Sequence, residues 1–555
     1  MPPSIGIATF DSYNCKGELI TNSDIGDILC SRPIDLSGYK ESDSIYLSFY
    51  YQPGGNGDPP EIEDSLIVQF FDTDSSKWIT VEKIEGINKK IPGVPISESV
   101  KNKQKIFRLK IIKVDTFFFR NGFKFRIMNK ISLPKNTSEP SQIANIDHWN
   151  VDYIYLSNGR NKNDTLFKDV AIRKTLKPFL KEYSSIPWQH YTNEMSSRLI
   201  NSEMILTFTN YGENTRNVTW YYQIRNKTKN EIGIPKDVGV DDFFPNIIYN
   251  KYIYPEYTFS HNDDSLAHFE ITGFIKTDSV KWDINKKVKA NDSTIFIQKF
   301  ENYYSYDDGT AEMSYGLTGQ GSAYGKFVLQ YTPLKADSIT GVFMYFNHSF
   351  YAEKLEKVIF NIIILDNKNN KPNNIIKKFE GENLHPKYSE KLNKFVYFQF
   401  DNPVFVSDTF YIGIEQTTND LLNLGFDCNY NAKNKLFYNL DGNWQNSSID
   451  GALMIRPYFG KLLSFQLNTK NKIVRPPEIK LFPNPVKDFL NININNETVK
   501  DISIEIFDIY GKEIFYTNQY IANINVSSWA DGIYIIKINI SGQARSEIRK
   551  FIIQH

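Results

Sequence analysis

Cysteine is scarce in this chain. Cys15, Cys30 and Cys428 are the only three among 555 residues, which excludes a disulfide-rich scaffold and a cysteine-rich zinc protein. Cys15 and Cys30 can form one bridge in an oxidising compartment if their strands are neighbours, and Cys428 then remains as a small buried side chain. The sequence leaves open whether this bridge forms.

The chain also lacks an excess of charge of one sign, and it lacks long apolar runs. The 64 basic residues balance 64 acidic ones, so the zero net charge offers no overall positive field to nucleic acid. The longest apolar stretches, such as Ile362–Leu365, are far shorter than the ~20 residues that cross a bilayer. We therefore expect neither a nucleic-acid partner nor a transmembrane segment.

The N-terminus lacks the pattern of a signal peptide. Residues 1–10 have neither a basic n-region nor an apolar core, and Ile5, Ile7 and Thr9 already alternate as the residues of a strand do. The sequence thus predicts that this chain opens inside a domain, with an export signal upstream.

The common linear motifs of hydrolases and nucleotide-binding enzymes do not occur. Asp307, Asp308 and Glu312 suggest the carboxylate pair of a glycosidase, whose two carboxyl groups lie about 5 to 10 Å apart. However, Asp308-Gly309 is a turn signal, and adjacent side chains on a strand point to opposite faces. His148 stands beside Trp149 without a second histidine at metal-motif spacing. We predict no catalytic residue and no enzyme activity.

Aromatic residues are abundant instead. They make up 15% of the chain, with 40 Phe and 34 Tyr against 7 Met, and aromatic side chains fit a pleated sheet better than a helix. Segments such as Phe107–Ile111 and Phe123–Ile127 alternate apolar and basic residues, which is the period of a half-buried strand. The predicted fold class is all-β, a multi-domain chain of jelly-roll and immunoglobulin-like sandwiches.

Turn-rich stretches divide the chain into segments of domain size. A jelly-roll sandwich is predicted for residues 1–183, an immunoglobulin-like sandwich for 184–300 and a second jelly-roll-like sandwich for 301–461. The polar stretch that contains Asn468 and Arg475-Pro476-Pro477 indicates a linker over 462–478. A small sandwich over 479–555 closes the chain.

Tryptophan side chains are candidate platforms for sugar rings, because a flat aromatic surface matches the C–H face of a pyranose. A sandwich also buries its large aromatic residues first, so most of them are expected in cores. The candidates are Trp78, Trp149, Trp188, Trp220, Trp282 and Trp444.

The C-terminal segment carries spaced motifs between its predicted strands. Pro483-Asn484-Pro485 is a turn before an alternating strand, and Phe507-Asp508 leads into a second turn. The residues singled out are Pro483, Asn484, Pro485, Asp488, Asp508, Gly511, Lys512, Gly532, Tyr534 and Lys550. In this order they resemble the type A C-terminal sorting domain of type IX secretion cargo in the Bacteroidota, over residues 479–555. Trp529 and the final Gln554-His555 depart from the family's pattern, and an unrelated immunoglobulin-like module is the alternative.

The resemblance implies a route and partners. Such cargo crosses the inner membrane by a Sec signal, is led through the outer membrane by the sorting domain, and is often cleaved near the linker and attached to lipopolysaccharide. The expected partners are therefore the type IX secretion machinery and its sortase. The expected location is extracellular or on the outer-membrane surface.

The upstream part shows a looser resemblance to MAM-like and carbohydrate-binding jelly rolls. Ala8–Asp11, Ser31–Ser37 and Asp147–Ile154 carry it, and in those jelly rolls the first and last strands lie side by side. A structural calcium ion often sits where these strands meet, and the resemblance makes Asp11 and Asp152 its ligands. Alternatively Asp11 caps a turn and Asp152 pairs with a cation, and no other cofactor is expected.

The leading functional hypothesis is a secreted or surface-attached, non-catalytic binding or adhesion protein for a glycan or protein ligand. One alternative is a secreted polysaccharide or protein hydrolase without a linear motif, and another is an architectural surface-layer protein. Exposed tryptophans on one sandwich face would favour binding, whereas carboxylates that converge in a deep cleft would favour hydrolysis.

Overall fold

The computed structural model shows two compact units, Met1–Leu463 and Ser464–His555. It describes residues 2–14, 18, 25–89, 97–132, 148–165, 167, 169–192, 196–255, 266–277, 291–348, 355–389, 391–461, 478–495, 502–509, 511–540 and 547–555. Antiparallel strands build both units, and the α-helices of the described part are α1 (Glu98–Gln104) and α2 (Ser196–Leu199). The prediction of an all-β chain of sandwiches is confirmed.

The N-terminal sandwich packs two four-stranded sheets, with strand orders β1-β10-β4-β7 and β2-β9-β5-β6, and a small β3-β8 pair. The first and last strands are neighbours, as the resemblance implied. The strands are β1 (Ala8–Phe10), β2 (Ile25–Cys30), β3 (Ile34–Asp35), β4 (Tyr46–Pro53), β5 (Ser65–Asp72), β6 (Lys77–Glu85), β7 (Arg108–Lys113), β8 (Asn121–Phe123), β9 (Phe125–Lys130) and β10 (Trp149–Ser157).

Alternation along these strands forms the core of the N-terminal sandwich. Phe10, Phe49, Phe70 and Trp149 point between the two sheets and are fully buried, whereas their neighbours in the chain face outward. Cys30 lies exposed in β2. Cys15 is outside the described residues, so its bridge to Cys30 stays a prediction.

The middle sandwich has a sheet β11-β13-β17 and a sheet β12-β19-β18-β14-β15, with β16 also paired to β14. Because β11 pairs with β13, this sandwich begins before residue 184, where the sequence placed the boundary. The strands are β11 (Val170–Ile172), β12 (Ser185–Pro187), β13 (Met204–Asn210), β14 (Arg216–Asn226), β15 (Glu231–Ile232), β16 (Lys236–Phe243), β17 (Ile248–Ile253), β18 (Ala267–Thr277) and β19 (Ser293–Glu301).

The third sandwich contains sheets β24-β23-β26-β21-β28-β29, β25-β22-β31 and β20-β27-β30. Its strands are β20 (Met313–Tyr315), β21 (Lys326–Tyr331), β22 (Asp337–Met344), β23 (Phe360–Lys368), β24 (Lys371–Phe379), β25 (Val396–Val406), β26 (Phe410–Gln416), β27 (Leu424–Asp427), β28 (Leu436–Asn439), β29 (Gln445–Asn446), β30 (Ala452–Leu453) and β31 (Ile455–Tyr458).

The middle and third sandwiches share one hydrophobic core that extends from Val170 to Phe459. At their junction the buried His190 ring hydrogen-bonds the hydroxyl of Tyr304 through Nδ1 and the Asp337 carboxylate through Nε2, each at 2.9 Å. The alternation of apolar and polar residues along the strands predicts two sandwiches here, but it does not show that their cores merge.

The second unit is a small sandwich of sheets β32-β33-β36 and β35-β34-β37-β38. Val486, Ile504, Ile536 and Phe551 are fully buried in its core. The linker predicted for 462–478 lies almost wholly outside the described residues. The strands are β32 (Glu478–Phe482), β33 (Phe489–Asn495), β34 (Ile502–Asp508), β35 (Glu513–Thr517), β36 (Asn523–Asn525), β37 (Gly532–Ile540) and β38 (Glu547–Ile553).

Candidate functional site

A ladder of polar side chains crosses the outer face of sheet β1-β10-β4-β7. Thr9, Asn150 and Gln52 stand directly opposite one another on β1, β10 and β4. Thr9 Oγ1 donates to Asn150 Oδ1 (2.8 Å), and Asn150 Nδ2 donates to Gln52 Oε1 (2.9 Å). Within the described part of the chain the Gln52 Nε2 group has no partner, so its two hydrogens are available to a ligand.

The loop after β4 approaches this ladder closely because it carries glycines. A Cβ atom on Gly55 would lie 2.5 Å from Asn150 Nδ2, and one on Gly57 would lie 1.7 Å from His148 Nδ1. Any larger residue at either position would therefore displace a side chain of the site. Gly55 also has a positive φ of 68°, which glycine adopts without strain.

Asp11 and His148 form the next row, one residue beyond the paired ends of β1 and β10. Asp11 Oδ1 accepts a hydrogen bond from the Tyr13 backbone N–H at 3.0 Å, and burial raises the pKa of the Asp11 carboxyl. Burial also lowers the pKa of His148 to about 4, so the imidazole is neutral at pH 7.

The pKa of His148 predicts how stability changes with pH. Above pH 6.5 the ring is neutral in both states, but between pH 6.5 and about 4 only the unfolded chain binds a proton. The unfolding free energy of the N-terminal sandwich should therefore fall by about 3 kcal/mol as the pH drops through this window. Urea titrations at pH 7 and pH 4.5 measure the fall.

A His148→Gln variant should lose this part of the pH dependence, whereas His268→Gln, at a partly exposed histidine of the middle sandwich, should retain it. If the wild type and His148→Gln lose equal stability between the two pH values, the histidine is not held neutral.

The third sandwich supplies the opposite wall. Glu312 Oε2 accepts from the Cys428 backbone N–H at 2.8 Å, and Glu312 Oε1 accepts from Asn429 Nδ2 at 2.9 Å. Asn56, in the loop after β4, donates to Asn429 Oδ1 at 3.0 Å. This amide contact joins the two walls directly.

Three carboxyl groups crowd together behind this wall. Asp427 Oδ2 accepts from the Asp308 backbone N–H at 2.6 Å, and Asn429 Nδ2 bridges Asp308 and Glu312. Burial and the neighbouring carboxylates raise the pKa of both Asp427 and Glu312. The carboxyl groups of Asp427 and Glu312 therefore lose their protons at a higher pH than isolated carboxyl groups do.

Asp307 is not part of this group. It is buried, and both of its oxygens bind the Arg456 guanidinium. The adjacent acids Asp307 and Asp308 thus have different partners, although both lie between β19 and β20 and outside any strand. The ion pair with Arg456 gives Asp307 a structural role.

The space between the two walls, which we call the cleft, has a volume of about 600 Å³. Its described lining includes three charged residues, Asp11, Lys105 and Glu312. The rings of Tyr13, Phe107 and Tyr345 also face it. Six of the described lining residues carry amide side chains, namely Gln52, Asn56, Asn150, Asn347, Asn393 and Asn429. Amides combine donors with acceptors and suit a neutral ligand rich in hydroxyl groups.

The structure does not bring Asp11 and Asp152 together. If the pairing of β1 with β10 is continued by one residue, Asp11 lies opposite His148, and Asp152 lies four residues further along the chain. The Asp152 carboxylate instead accepts hydrogen bonds from the backbone N–H and the hydroxyl of Ser4, at 2.8 and 2.9 Å. Among the described residues no group of three or more His, Cys, Asp or Glu is arranged to bind a metal ion. A calcium ion held by both carboxylates stays a prediction that this register does not support.

Most of the candidate tryptophans are in cores. Trp149, Trp188 and Trp220 are buried, and Trp444 packs against a small cluster of the third sandwich. Trp282 is outside the described residues. Trp78 remains half-exposed on the outer face of β6. No sequence motif marks Gln52 and Asn150 as site residues, although their alternation with core residues places both on an outward face.

In the second unit, the Pro-Asn-Pro turn is fixed to the last strand. Asn484 Oδ1 accepts from the Ile552 backbone N–H at 2.8 Å, and the Val486 backbone donates to Ile552 and accepts from Gln554. The turn at the start of the domain and the last strand at its end are therefore joined by hydrogen bonds.

The other selected residues form turns and strand ends. Lys512 N donates to Asp508 Oδ1 at 3.0 Å around Gly511, which has a φ of 82°. The hydroxyl of Tyr534 donates to the Ala530 carbonyl at 2.9 Å. Lys550 is exposed, as is the side chain of Asp488, whose carbonyl accepts from Val526. Pro483, Pro485 and Gly532 shape the adjoining backbone.

Residues 480–554 match the family described as the secretion system C-terminal sorting domain. This segment is a type IX sorting domain of the Bacteroidota type, and the protein is secreted to the cell surface or the extracellular space. No described helix is long and apolar enough to span a membrane. A search among curated proteins finds no match.

Solved structures show only a remote likeness. A calcium-binding mutant of Bacteroides uniformis β-glucuronidase 2 is 9% identical with a TM-score of 0.19, over 53% of this chain and 29% of that chain. A putative β-galactosidase from Bacteroides fragilis is 9% identical with a TM-score of 0.19, over 56% of this chain and 37% of that chain. At these TM-scores the likeness supports no statement about activity.

Proposed function

We propose that this protein is a non-catalytic glycan-binding protein, displayed on the cell surface or released, that binds a neutral saccharide in the cleft. In this proposal a Sec signal and the type IX machinery export it, and a sortase removes the sorting domain and attaches the remainder to lipopolysaccharide. Adhesion to glycan-coated surfaces is the corresponding biological role.

The Thr9–Asn150–Gln52 ladder carries the proposal. Its hydrogen bonds orient the Gln52 amide before a ligand arrives, and its free donors face a space large enough for a short oligosaccharide. Phe107 follows Gln52 in the row across the sheet and offers an apolar ring beside the polar groups. This combination suits a sugar, which has hydroxyl edges and an apolar ring face.

The charges of the cleft favour a neutral ligand. Asp11 and Glu312 are acidic, and only Lys105 among the described lining residues is basic. A saccharide with its own carboxylate would meet like charge in a partly desolvated space, which costs binding energy.

Substitution of Gln52 by Ala should weaken binding of a neutral oligosaccharide about fivefold, because one hydrogen bond to the ligand is worth ~1 kcal/mol. A glycan array with the full chain identifies the ligand, and calorimetry measures the change in Kd. Gln445→Ala, at an exposed glutamine of the third sandwich, is the matched control and should bind as the wild type does. Equal affinity of both variants would contradict the proposal.

One observation favours hydrolysis as a second candidate function. Asp11 and Glu312 both line the cleft, and the pKa of each is raised, as a general acid requires. However, both Glu312 oxygens already accept hydrogen bonds from the protein. Incubation of the array ligand with the wild type and with Asp11→Asn and Glu312→Gln variants decides between the two, since only hydrolysis yields product that these substitutions remove.

A further inference from the structure

The outer face of the other sheet of the N-terminal sandwich, β2-β9-β5-β6, carries cations stacked on aromatic rings. Arg126 lies over the Trp78 ring with its guanidinium carbon 4.3 Å from the ring centroid. Lys124 Nζ lies 4.1 Å from the Phe71 centroid and 5.6 Å from that of Trp78. We call these four residues, with Gln69, the cationic aromatic face.

The Arg126 guanidinium is held in place before any ligand binds. Its Nε donates to Gln69 Oε1 at 2.8 Å, and Gln69 Nε2 donates in turn to Thr80 Oγ1 at 3.0 Å. The position of the guanidinium over the Trp78 ring adds a second contact that restrains it. Both Nη groups lack a protein partner in the described part of the chain, so the fork can bind an anion with two parallel hydrogen bonds.

Arg126 and Lys124 differ from several other basic residues of the protein, which form ion pairs with carboxylates. Arg160 pairs with Asp164, Arg456 pairs with Asp307, and Lys110 in the other sheet of the N-terminal sandwich pairs with Glu82. No described carboxylate lies within ion-pair distance of Arg126 or Lys124. A preorganised pair of positive charges without counter-charges thus stands on a half-exposed aromatic surface.

We infer that the cationic aromatic face binds an acidic polysaccharide through the carboxylate or sulfate of one sugar unit. The Arg126 fork takes the anionic group, Lys124 adds a second charge, and the half-exposed Trp78 and Phe71 rings contact the apolar part of the sugar. This site lies on the opposite sheet from the cleft and requires an anionic ligand, whereas the cleft favours a neutral one. It therefore does not depend on the proposed function.

The test uses the full chain and a hexamer of galacturonic acid, with its methyl-esterified form as the uncharged probe and an oligoglutamate of equal charge as the acidic peptide. The wild type should bind the free hexamer at least about tenfold more tightly than the ester, with an affinity that falls as salt rises. It should also bind the hexamer more tightly than the oligoglutamate.

Arg126→Ala should weaken binding of the hexamer at least about tenfold. Arg126→Lys should lose most of this affinity as well, because an ammonium group cannot form two parallel hydrogen bonds as a guanidinium does. This variant keeps the positive charge and therefore also serves as the test if Arg126→Ala fails to fold. Lys77→Ala, at an exposed lysine of β6, should bind as the wild type does.

Several results would overturn the inference. They are equal binding of the hexamer and its ester, unchanged binding by both Arg126 variants, and an affinity for oligoglutamate that equals or exceeds that for the hexamer. Because neither the cleft ligand nor Gln52 enters this experiment, its outcome is independent of the cleft.

Discussion

Removal of residues 464–555 should abolish the appearance of the protein outside the cell. The sorting domain forms its own compact unit with its own core, so the truncated chain retains the complete core of residues 1–463. We expect the truncated protein, expressed with a Sec signal in a host competent for type IX secretion, to accumulate folded in the periplasm. Immunoblots of periplasm, surface and medium measure its distribution, and limited proteolysis reports its folding.

A point substitution should reproduce part of this effect. Asn484→Ala removes the side-chain oxygen that accepts from the Ile552 N–H and so loosens the turn from the last strand. Asn493→Ala, at an exposed asparagine of β33, is the matched control. A truncated chain that still reached the surface at the wild-type level would show that the segment is not the export signal.

A fusion tests sufficiency. Residues 462–555 placed behind a Sec signal and a fluorescent protein should carry the reporter to the surface or the medium. A reporter that stayed in the periplasm, while a verified sorting domain exported it, would contradict the assignment.

Local pattern predicts the strands and the sorting domain well. Phe123, Phe125 and Ile127 alternate with basic residues and are buried in the core as predicted, although the chain divides at Lys124 into β8 and β9. The sorting domain is predictable because its motif residues form turns, and turns depend on neighbours in the chain: Asp508 caps its own loop through Lys512 N.

The cleft depends instead on residues that are distant in sequence. Gln52 and Asn150 meet only because β4 and β10 pair, and Asn56 meets Asn429 only because two sandwiches pack together. Alternation shows that Asn150 faces outward, but no local pattern shows what lies opposite it. For the same reason the sequence placed a boundary at residue 184, although the core of the middle sandwich begins near Val170 and continues into the third.

The buried ion pair between Asp307 and Arg456 in the third sandwich should contribute strongly to the stability of the first unit. Arg456→Ala leaves the carboxylate of Asp307, which is 1% exposed, without its counter-charge. It also removes the contact of the guanidinium carbon 3.8 Å from the Phe395 centroid and the hydrogen bond to the Tyr303 hydroxyl. An uncompensated buried charge costs about 3 to 5 kcal/mol. Because the middle and third sandwiches share one core, urea unfolding should show both losing stability together.

Two further variants separate the charge from the packing. Lys433→Ala removes an ion pair with Asp450 in which both side chains are largely exposed, and such pairs contribute less than about 1 kcal/mol. The double variant Asp307→Leu with Arg456→Met should recover much of the loss, since two apolar side chains of similar volume leave no unpaired charge. If Arg456→Ala cost no more than Lys433→Ala, water would have to reach the Asp307 carboxylate, and the structural role assigned to Asp307 would be wrong.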